Sequence, residues 1–328
     1  MGSIIAEVGS VHDGSFGNAC KLIDAAAQAG ADTVKFQTHL ADAETLRDAP
    51  QPSYFKAEPR FEYFQRTGFS LERWKSLAAH ARSCGVQFLS SPFSEEAVDL
   101  LEEVGVTNYK VPSGEVSNIP LLERLAAVGK PVLLSSGMSN WEELDAAVAV
   151  LKGRVELAVM QCTSMYPCTP ERVGLNVIAE MRARYGVAVG YSDHTLGPAA
   201  AIAAAALGAT VIEKHFTFSK LMYGSDAKNS MEPVEFTALC RDLRDTWTMI
   251  GHPVDKADVE PYREMKRIFE KSVVTSQALV AGAVLSRAAL AFKKPGDGIP
   301  AARYAKLLGR KLRRDVPVNY KLSEDDLL

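Results

Sequence analysis

A chain of 328 residues with 47% apolar side chains can build one large core and a small appendage. Five scattered cysteines exclude a dense disulfide scaffold, and the longest apolar run, 199–212, is shorter than the roughly 20 residues of a bilayer span. With no leader-like pattern at Met1, a soluble protein of the reducing cytoplasm is expected, with neither membrane nor nucleic acid as partner.

The net charge of -3 is unevenly spread: from Lys266 onward 13 Lys and Arg face 6 Asp and Glu, whereas 24 face 34 before it. The basic end either caps an anionic ligand or is a solvated surface.

Short β-branched runs alternate with helical patterns. Strands are predicted at Ile4–Val8, Thr33–Gln37, Gln87–Ser90, Tyr109–Val111, Pro131–Ser135, Glu156–Met160, Val187–Tyr191 and Thr210–Lys214. Helices are predicted at Asn18–Ala29, Leu71–Cys84, Glu95–Glu103, Pro120–Val128, Trp141–Leu151, Asn176–Tyr185, Pro198–Leu207 and Val234–Ile250. Gly30, Gly85, Gly105, Gly129 and Gly208 stand where a helix should stop and feed the next strand.

Eight βα units in series predict a TIM (β/α)8 barrel over residues 1–256. The insertion from His39 to Ser70, with Pro50, Pro52, Pro59, Tyr54, Phe55, Phe61, Tyr63 and Phe64, is either a loop folded over the barrel mouth or a surface excursion with its own aromatic cluster. Residues 257–271 are expected as a charged helical linker. Residues 272–328, with the turn Lys294-Pro295-Gly296-Asp297-Gly298 and an acidic end, are expected as a small second domain.

In a barrel of this type the working residues sit at the C-terminal ends of the strands. Glu7 ends the first strand. Lys35, Gln37 and His39 share one parity on the second. Ser91, Lys110, Ser113, Glu115, Ser136, Ser164 and Tyr166 follow at later strand ends. Lys35 and Lys110 among hydroxyls suit a small anion such as a phosphate ester with a carboxylate; alternatively each pairs with Glu7, Glu115 or Glu213.

His194 and His215 occupy equivalent places on the last two strands, with Asp193 and Glu213 beside them as candidate partners. Two imidazoles suit Mn, Fe, Co or Zn with open positions; spacing alone leaves metal binding open. Cysteines 20, 84, 162, 168 and 240 are expected to pack.

The strings Ala6-Glu7-Val8-Gly9, His12-Asp13-Gly14, Val34-Lys35-Phe36-Gln37-Thr38, Ser91-Pro92-Phe93, Ser113-Gly114-Glu115, Tyr166-Pro167, Gly190 to Leu196 and Glu213-Lys214-His215-Phe216-Thr217 resemble the sialic acid synthase family nearly end to end. Phe292-Lys293-Lys294-Pro295-Gly296 resembles its antifreeze-like (SAF) domain.

The resemblance implies condensation of phosphoenolpyruvate with an N-acetylated aldose, N-acetylmannosamine or a diacetamido-trideoxyhexose, to give a nonulosonic acid and phosphate. It implies Mn or Mg, with Co possible, on His194 and His215. Lys35, Ser91, Lys110, Ser113, Ser136, Ser164 and Ser192 match phosphoenolpyruvate positions, Gln37, Tyr166, Asp226 and Lys294 match sugar positions, and Glu7 and Glu115 match acidic positions near the reacting carbons. Glu115, expected close to Lys110, is the candidate for activating water.

A domain-swapped homodimer is implied as well. Val11 and Ser164 stand where the family often has asparagine and Lys294 where it has arginine, departures that bear on the sugar. A Schiff-base pyruvate lyase using Lys110 and a non-catalytic sugar-binding barrel are the competing readings.

Overall fold

The structure is a computed structural model and describes residues 2–50 and 58–328. Pro52, Tyr54 and Phe55 of the insertion lie outside the described residues. The chain divides into two compact units, 1–252 and 253–328.

In the first unit the order is β1 (Ser3–Gly9), α1 (Phe16–Gln28), β2 (Thr33–Thr38), α2 (Ala41–Glu44), α3 (Arg60–Thr67), α4 (Leu71–Ser83), β3 (Gln87–Pro92) and α5 (Glu95–Val104). It continues through β4 (Tyr109–Val111), α6 (Ile119–Val128), β5 (Val132–Ser135), α7 (Trp141–Leu151), β6 (Leu157–Cys162), α8 (Asn176–Tyr185), β7 (Ala188–Asp193), α9 (Ala199–Ala206), β8 (Val211–His215) and α10 (Pro233–Gly251).

The eight strands form a closed parallel barrel with each helix returning the chain, as the βα alternation predicts. Side chains that choose the helix starts are visible: Ser15, Ser70, Ser94, Asn118 and Asn140 each accept a backbone N–H three residues on, and Asn140 with Glu143 makes a capping box. Each such cap contributes about 1 kcal/mol.

Several strands run beyond their predicted ends: β3 to Pro92, β6 to Cys162, β7 to Asp193 and β8 to His215. Part of the rim is therefore held by ladder pairing, whereas Ser113, Ser164, Tyr166, His194 and Asp226 follow the strand ends. Gln37 pairs with Ser91, Cys162 with Ser192 and Glu7 with His215.

Burial follows parity. On β8, Glu213 and His215 share the parity opposite to Lys214, which pairs with Asp193 at 2.7 Å. That ammonium also donates to the carbonyls of Thr195 and Gly197, and both side chains are wholly buried. The aromatic cluster of Phe36, Phe69, Trp74 and Phe88 packs α4 onto β2 and β3.

In the second unit, α11 (Arg263–Phe269) is followed by an antiparallel pair, β9 (Ser272–Thr275) and β10 (Leu290–Lys293), and by short 3-10 turns. The stretch expected as a linker thus carries a helix, and the unit division assigns that helix to the second unit. Val273, Leu285, Leu290, Ile299, Leu307, Leu312, Val316, Leu322 and Leu327 form its core. Its acidic end is locked inward: Asp326 is fully buried, accepts from the Ser323 N–H and hydroxyl, and binds Arg314 at 2.6 Å.

Candidate active site at the barrel mouth

The strand ends surround a cavity of about 340 Å³. At its floor lie four buried charged residues from four strands: Glu7, Lys35, Lys110 and Glu213. Lys35 Nζ is 2.8 Å from Glu7 and 3.5 Å from Glu213; Lys110 Nζ is 3.0 Å from Glu213. Lys35 also donates to Ser91 at 3.3 Å, Ser192 to Glu213 at 3.3 Å, and the Gln37 amide to Glu7 at 2.7 Å.

Both lysines have the carboxylate neighbours that the sequence offered them, Lys35 with Glu7 and Glu213 and Lys110 with Glu213. Burial alone would raise the Glu213 carboxyl, but Lys110 and Lys35 outweigh it and bring it down to about 2. For Lys35, burial works against the charge, and Glu213 and Glu7 overcome it and push the group up. The array is thus two ammoniums bridged by carboxylates, and an anion entering between the lysines has to share them.

Around this floor stand hydroxyls and one tight backbone turn. Ser113, Ser135, Ser164 and Ser192 line the cavity with Cys162. Ser113 accepts the Gly137 N–H at 3.0 Å. A Cβ at Gly137 would press on Ser113, at 2.6 Å, on Ser164 and on the Cys162 sulfur, so only glycine lets these groups converge. Gly9, with φ of 55°, sits in an irregularity between β1 and β2; a side chain there would meet Asp226 at 2.7 Å.

Above the floor are the histidines, with ring centroids 5.4 Å apart and Tyr166 4.2 Å from His194. His194 Nδ1 is 2.8 Å from the Thr163 carbonyl, which can only accept. A proton is therefore fixed on Nδ1, and Nε2 is the nitrogen left to coordinate when the ring is neutral. His215 Nδ1 is buried with no hydrogen-bond partner among the described residues, and burial pushes its imidazole down, toward the neutral form, against the pull of Asp226 and Glu7. An orphaned buried nitrogen beside a second available lone pair is what a divalent ion requires, so the residues present fit a metal.

The wall opposite is built by the insertion. Glu58, Arg60, Tyr63 and Phe64 line the mouth, and His39 is stacked between Phe64 and Phe93. Arg66 ties the insertion down, pairing with Glu58 at 2.6 Å and with Asp13 at 2.7 Å. The described part of the insertion therefore folds over the mouth.

Gln37, Tyr166 and Asp226 line the same cavity, Asp226 accepting from Ser225 at 2.8 Å. Other expectations differ. Glu115 does not line the cavity and accepts from Asn118 at 2.8 Å; Glu213 is the carboxylate at Lys110. Ser136 turns its hydroxyl to the Met160 carbonyl, and Ser135 faces the cavity in its place.

Asp193 is no partner of His194, because parity sends it outward to Lys214. Val11 is buried in the core. Lys294 lies in the second unit, exposed, with its ammonium 4.8 Å over the Phe269 ring. Cys162, expected to pack, is buried, lines the cavity and has its sulfur 3.8 Å from His194 Nδ1.

Comparison with known proteins follows this geometry. Residues 22–255 match the NeuB family and residues 270–328 the SAF domain. The N,N'-diacetyllegionaminic acid synthase of Campylobacter jejuni is 38% identical over 99% of this chain and 98% of its own length. The N-acetylneuraminate-9-phosphate synthase of Mus musculus is 34% identical over 94% of this chain and 88% of its own. A crystal structure of N-acetylneuraminic acid (sialic acid) synthetase from Leptospira borgpetersenii, in complex with citrate, superposes with a TM-score of 0.71 at 29% identity, covering 81% of this chain and 90% of the other.

Proposed function

The chain belongs to the NeuB family, a carbon–carbon-bond-forming synthase fold of barrel plus SAF domain, and from that membership and the barrel mouth we propose that it condenses phosphoenolpyruvate with an N-acetylated aldose. The acceptor we favour is a 2,4-diacetamido-trideoxyhexose, the class that the name of the 38% identical relative points to. The observation that carries the reading is the alternating floor of Glu7, Lys35, Glu213 and Lys110 directly under two available imidazoles.

Phosphoenolpyruvate brings a phosphate and a carboxylate. Lys35 and Lys110 supply point charges, and Ser113, Ser164 and Ser192 supply hydroxyls beside the Gly137 turn. Gln37, Tyr166 and Asp226 face the sugar. A divalent ion held by His194 and His215, Mn or Mg by resemblance, would supply Lewis acidity toward an aldehyde oxygen.

The enol C3 adds to the aldehyde carbon, forming the carbon–carbon bond and leaving cationic character at C2. Water adds at C2, one proton leaves, and phosphate departs with cleavage of its bond to C2. Glu213, kept ionised by two ammoniums, takes over from Glu115 as the carboxylate that orients the attacking water and offsets the cationic character at C2, while the water proton passes to the departing phosphate; Glu7 serves the new alkoxide side. Such acid–base help is worth about 10²–10⁴-fold.

A Schiff base on Lys110 would need a neutral amine, whereas an ionised Glu213 holds that lysine at 3.0 Å. We also propose a homodimer in which the SAF domain of one copy serves the other; the exposed Tyr262, Met265, Ile268 and Phe269 of the second unit supply an apolar face for it.

The test is a reaction in ¹⁸O-labelled water over a panel of 2-acetamido, 6-phosphorylated and 2,4-diacetamido hexoses. The label should enter the sugar acid and not the released phosphate. Label in phosphate, or a product lacking the acceptor's mass, would sink the reading.

A further inference from the structure

On the outer layer of the barrel, away from the mouth, α1 and α4 bring together three side chains that the chemistry above leaves unused. Asp24 lies on α1, His80 on α4, and Cys84 is the residue that caps α4, one turn beyond His80. His80 Nε2 is 2.7 Å from Asp24 Oδ1 and 3.7 Å from Cys84 Sγ, and that sulfur is 3.5 Å from the same carboxylate oxygen. One donor atom from each residue thus falls within 4.8 Å of the others, in a half-buried setting.

The geometry separates two possible uses. In a nucleophilic Cys–His–Asp relay the thiol and the carboxylate occupy opposite nitrogens of the ring. Here both face Nε2. The His80 N–H and the Cys84 S–H both converge on Asp24 Oδ1, so an ion that displaced those two protons would find three donor atoms already gathered.

We propose that Asp24, His80 and Cys84 form a second metal site, for a divalent ion of the zinc class, that staples α1 to α4. One thiolate sulfur, one imidazole and one carboxylate oxygen select Zn²⁺ over Mg²⁺ or Ca²⁺, which prefer oxygen shells. Cys20 stands one turn before Asp24 on the same face of α1 but outside the group whose donor atoms lie within 4.8 Å of one another, so water completes the shell. Lys21 holds only the other oxygen of Asp24, Oδ2, at 2.8 Å and is largely exposed, so Oδ1 is left for the ion. Burial, reinforced by the Asp24 carboxylate, pushes the Cys84 thiol up, so its proton is released as the ion binds.

The experiment uses the full chain stripped of metal and titrated with Co²⁺, whose bond to a thiolate gives a near-ultraviolet charge-transfer band. The band should appear, be bleached by Zn²⁺, vanish in Cys84→Ser and in His80→Ala, and persist in Cys20→Ser and in Cys162→Ser. A band that survives Cys84→Ser but is lost in Cys162→Ser would place the thiolate at the barrel mouth and overturn the proposal, as would no band at all.

A second readout avoids the mouth altogether. In a His194→Ala, His215→Ala background Zn²⁺ should raise the melting temperature, and adding Cys84→Ser should remove that rise. An unchanged rise refutes the site. A Cys20–Cys84 crosslink in a non-reduced peptide map of freshly purified protein would assign the thiols to a disulfide and overturn it too.

Discussion

Two lysine–carboxylate clusters lie within a few residues of each other in the barrel, on opposite faces of β8. Lys214 and Asp193 face outward, wholly buried, and Lys214 also donates to two carbonyls. Glu213, its immediate neighbour, faces inward to Lys35 and Lys110 on the wall of a cavity. The same chemistry therefore does two jobs: a closed, saturated pair fixes β7 to β8, whereas an open array beside empty volume keeps its charges available to a ligand. Saturation and access, more than residue type, separate structure from function here.

The comparison can be broken most sharply at the mouth. His215→Ala should lower turnover by about 10³-fold or more, with the fold retained by circular dichroism; turnover near the wild-type rate would remove the imidazoles from the chemistry. Lys110→Met should cost about 10²–10⁴-fold in kcat/KM while the melting temperature falls little, because water in the cavity can solvate Glu213. A large stability loss with normal kcat/KM would show the inner array to be structural.

The outer pair should behave in the opposite sense. Lys214→Met leaves Asp193 buried and unpaired, and the expected loss is about 3–5 kcal/mol in denaturant unfolding. The folded fraction should keep its KM for phosphoenolpyruvate. If KM rises instead, the two faces are not independent.

The smallest effect is in acid. Burial brings His12 down to about 4 from an ordinary value near 6.5. With the folded value depressed, the unfolded chain binds the proton first, so stability is complete above about pH 6.5 and is lost as pH falls toward 4. The loss amounts to about 3 kcal/mol. Equilibrium unfolding of His12→Gln should show a flatter acid limb across that window; an unaltered limb would mean the ring is already protonated.

How far this was legible in the sequence depends on which physical rule governs each residue. Strand parity sufficed for Lys35 and Gln37, and glycine junctions with helical periodicity sufficed for the eight βα units. At strand ends a one-residue difference of direction decides: Ser135, not Ser136, lines the cavity because the second hydroxyl finds the Met160 carbonyl. Glu213 shares the inward parity of His215 on β8, and the sequence offered it both as a partner for the lysines and as a neighbour of the histidine; the distances to Lys35 and Lys110 show the first.

The Asp24, His80 and Cys84 cluster had no such signal. His80 and Cys84 are one helical turn apart, but Asp24 is 56 and 60 residues from them, and only the packing of α1 on α4 unites the three.

The account stands on the barrel mouth acting as a metal-dependent condensing site. Its most direct test is phosphate release from phosphoenolpyruvate plus a 2,4-diacetamido-trideoxyhexose, measured with chelated protein and again after Mn²⁺ or Mg²⁺ is restored. The account predicts release only with acceptor and ion both present, matched one to one by a nonulosonic acid. Release at an undiminished rate from chelated protein, or none with any aldose of the panel, would contradict it.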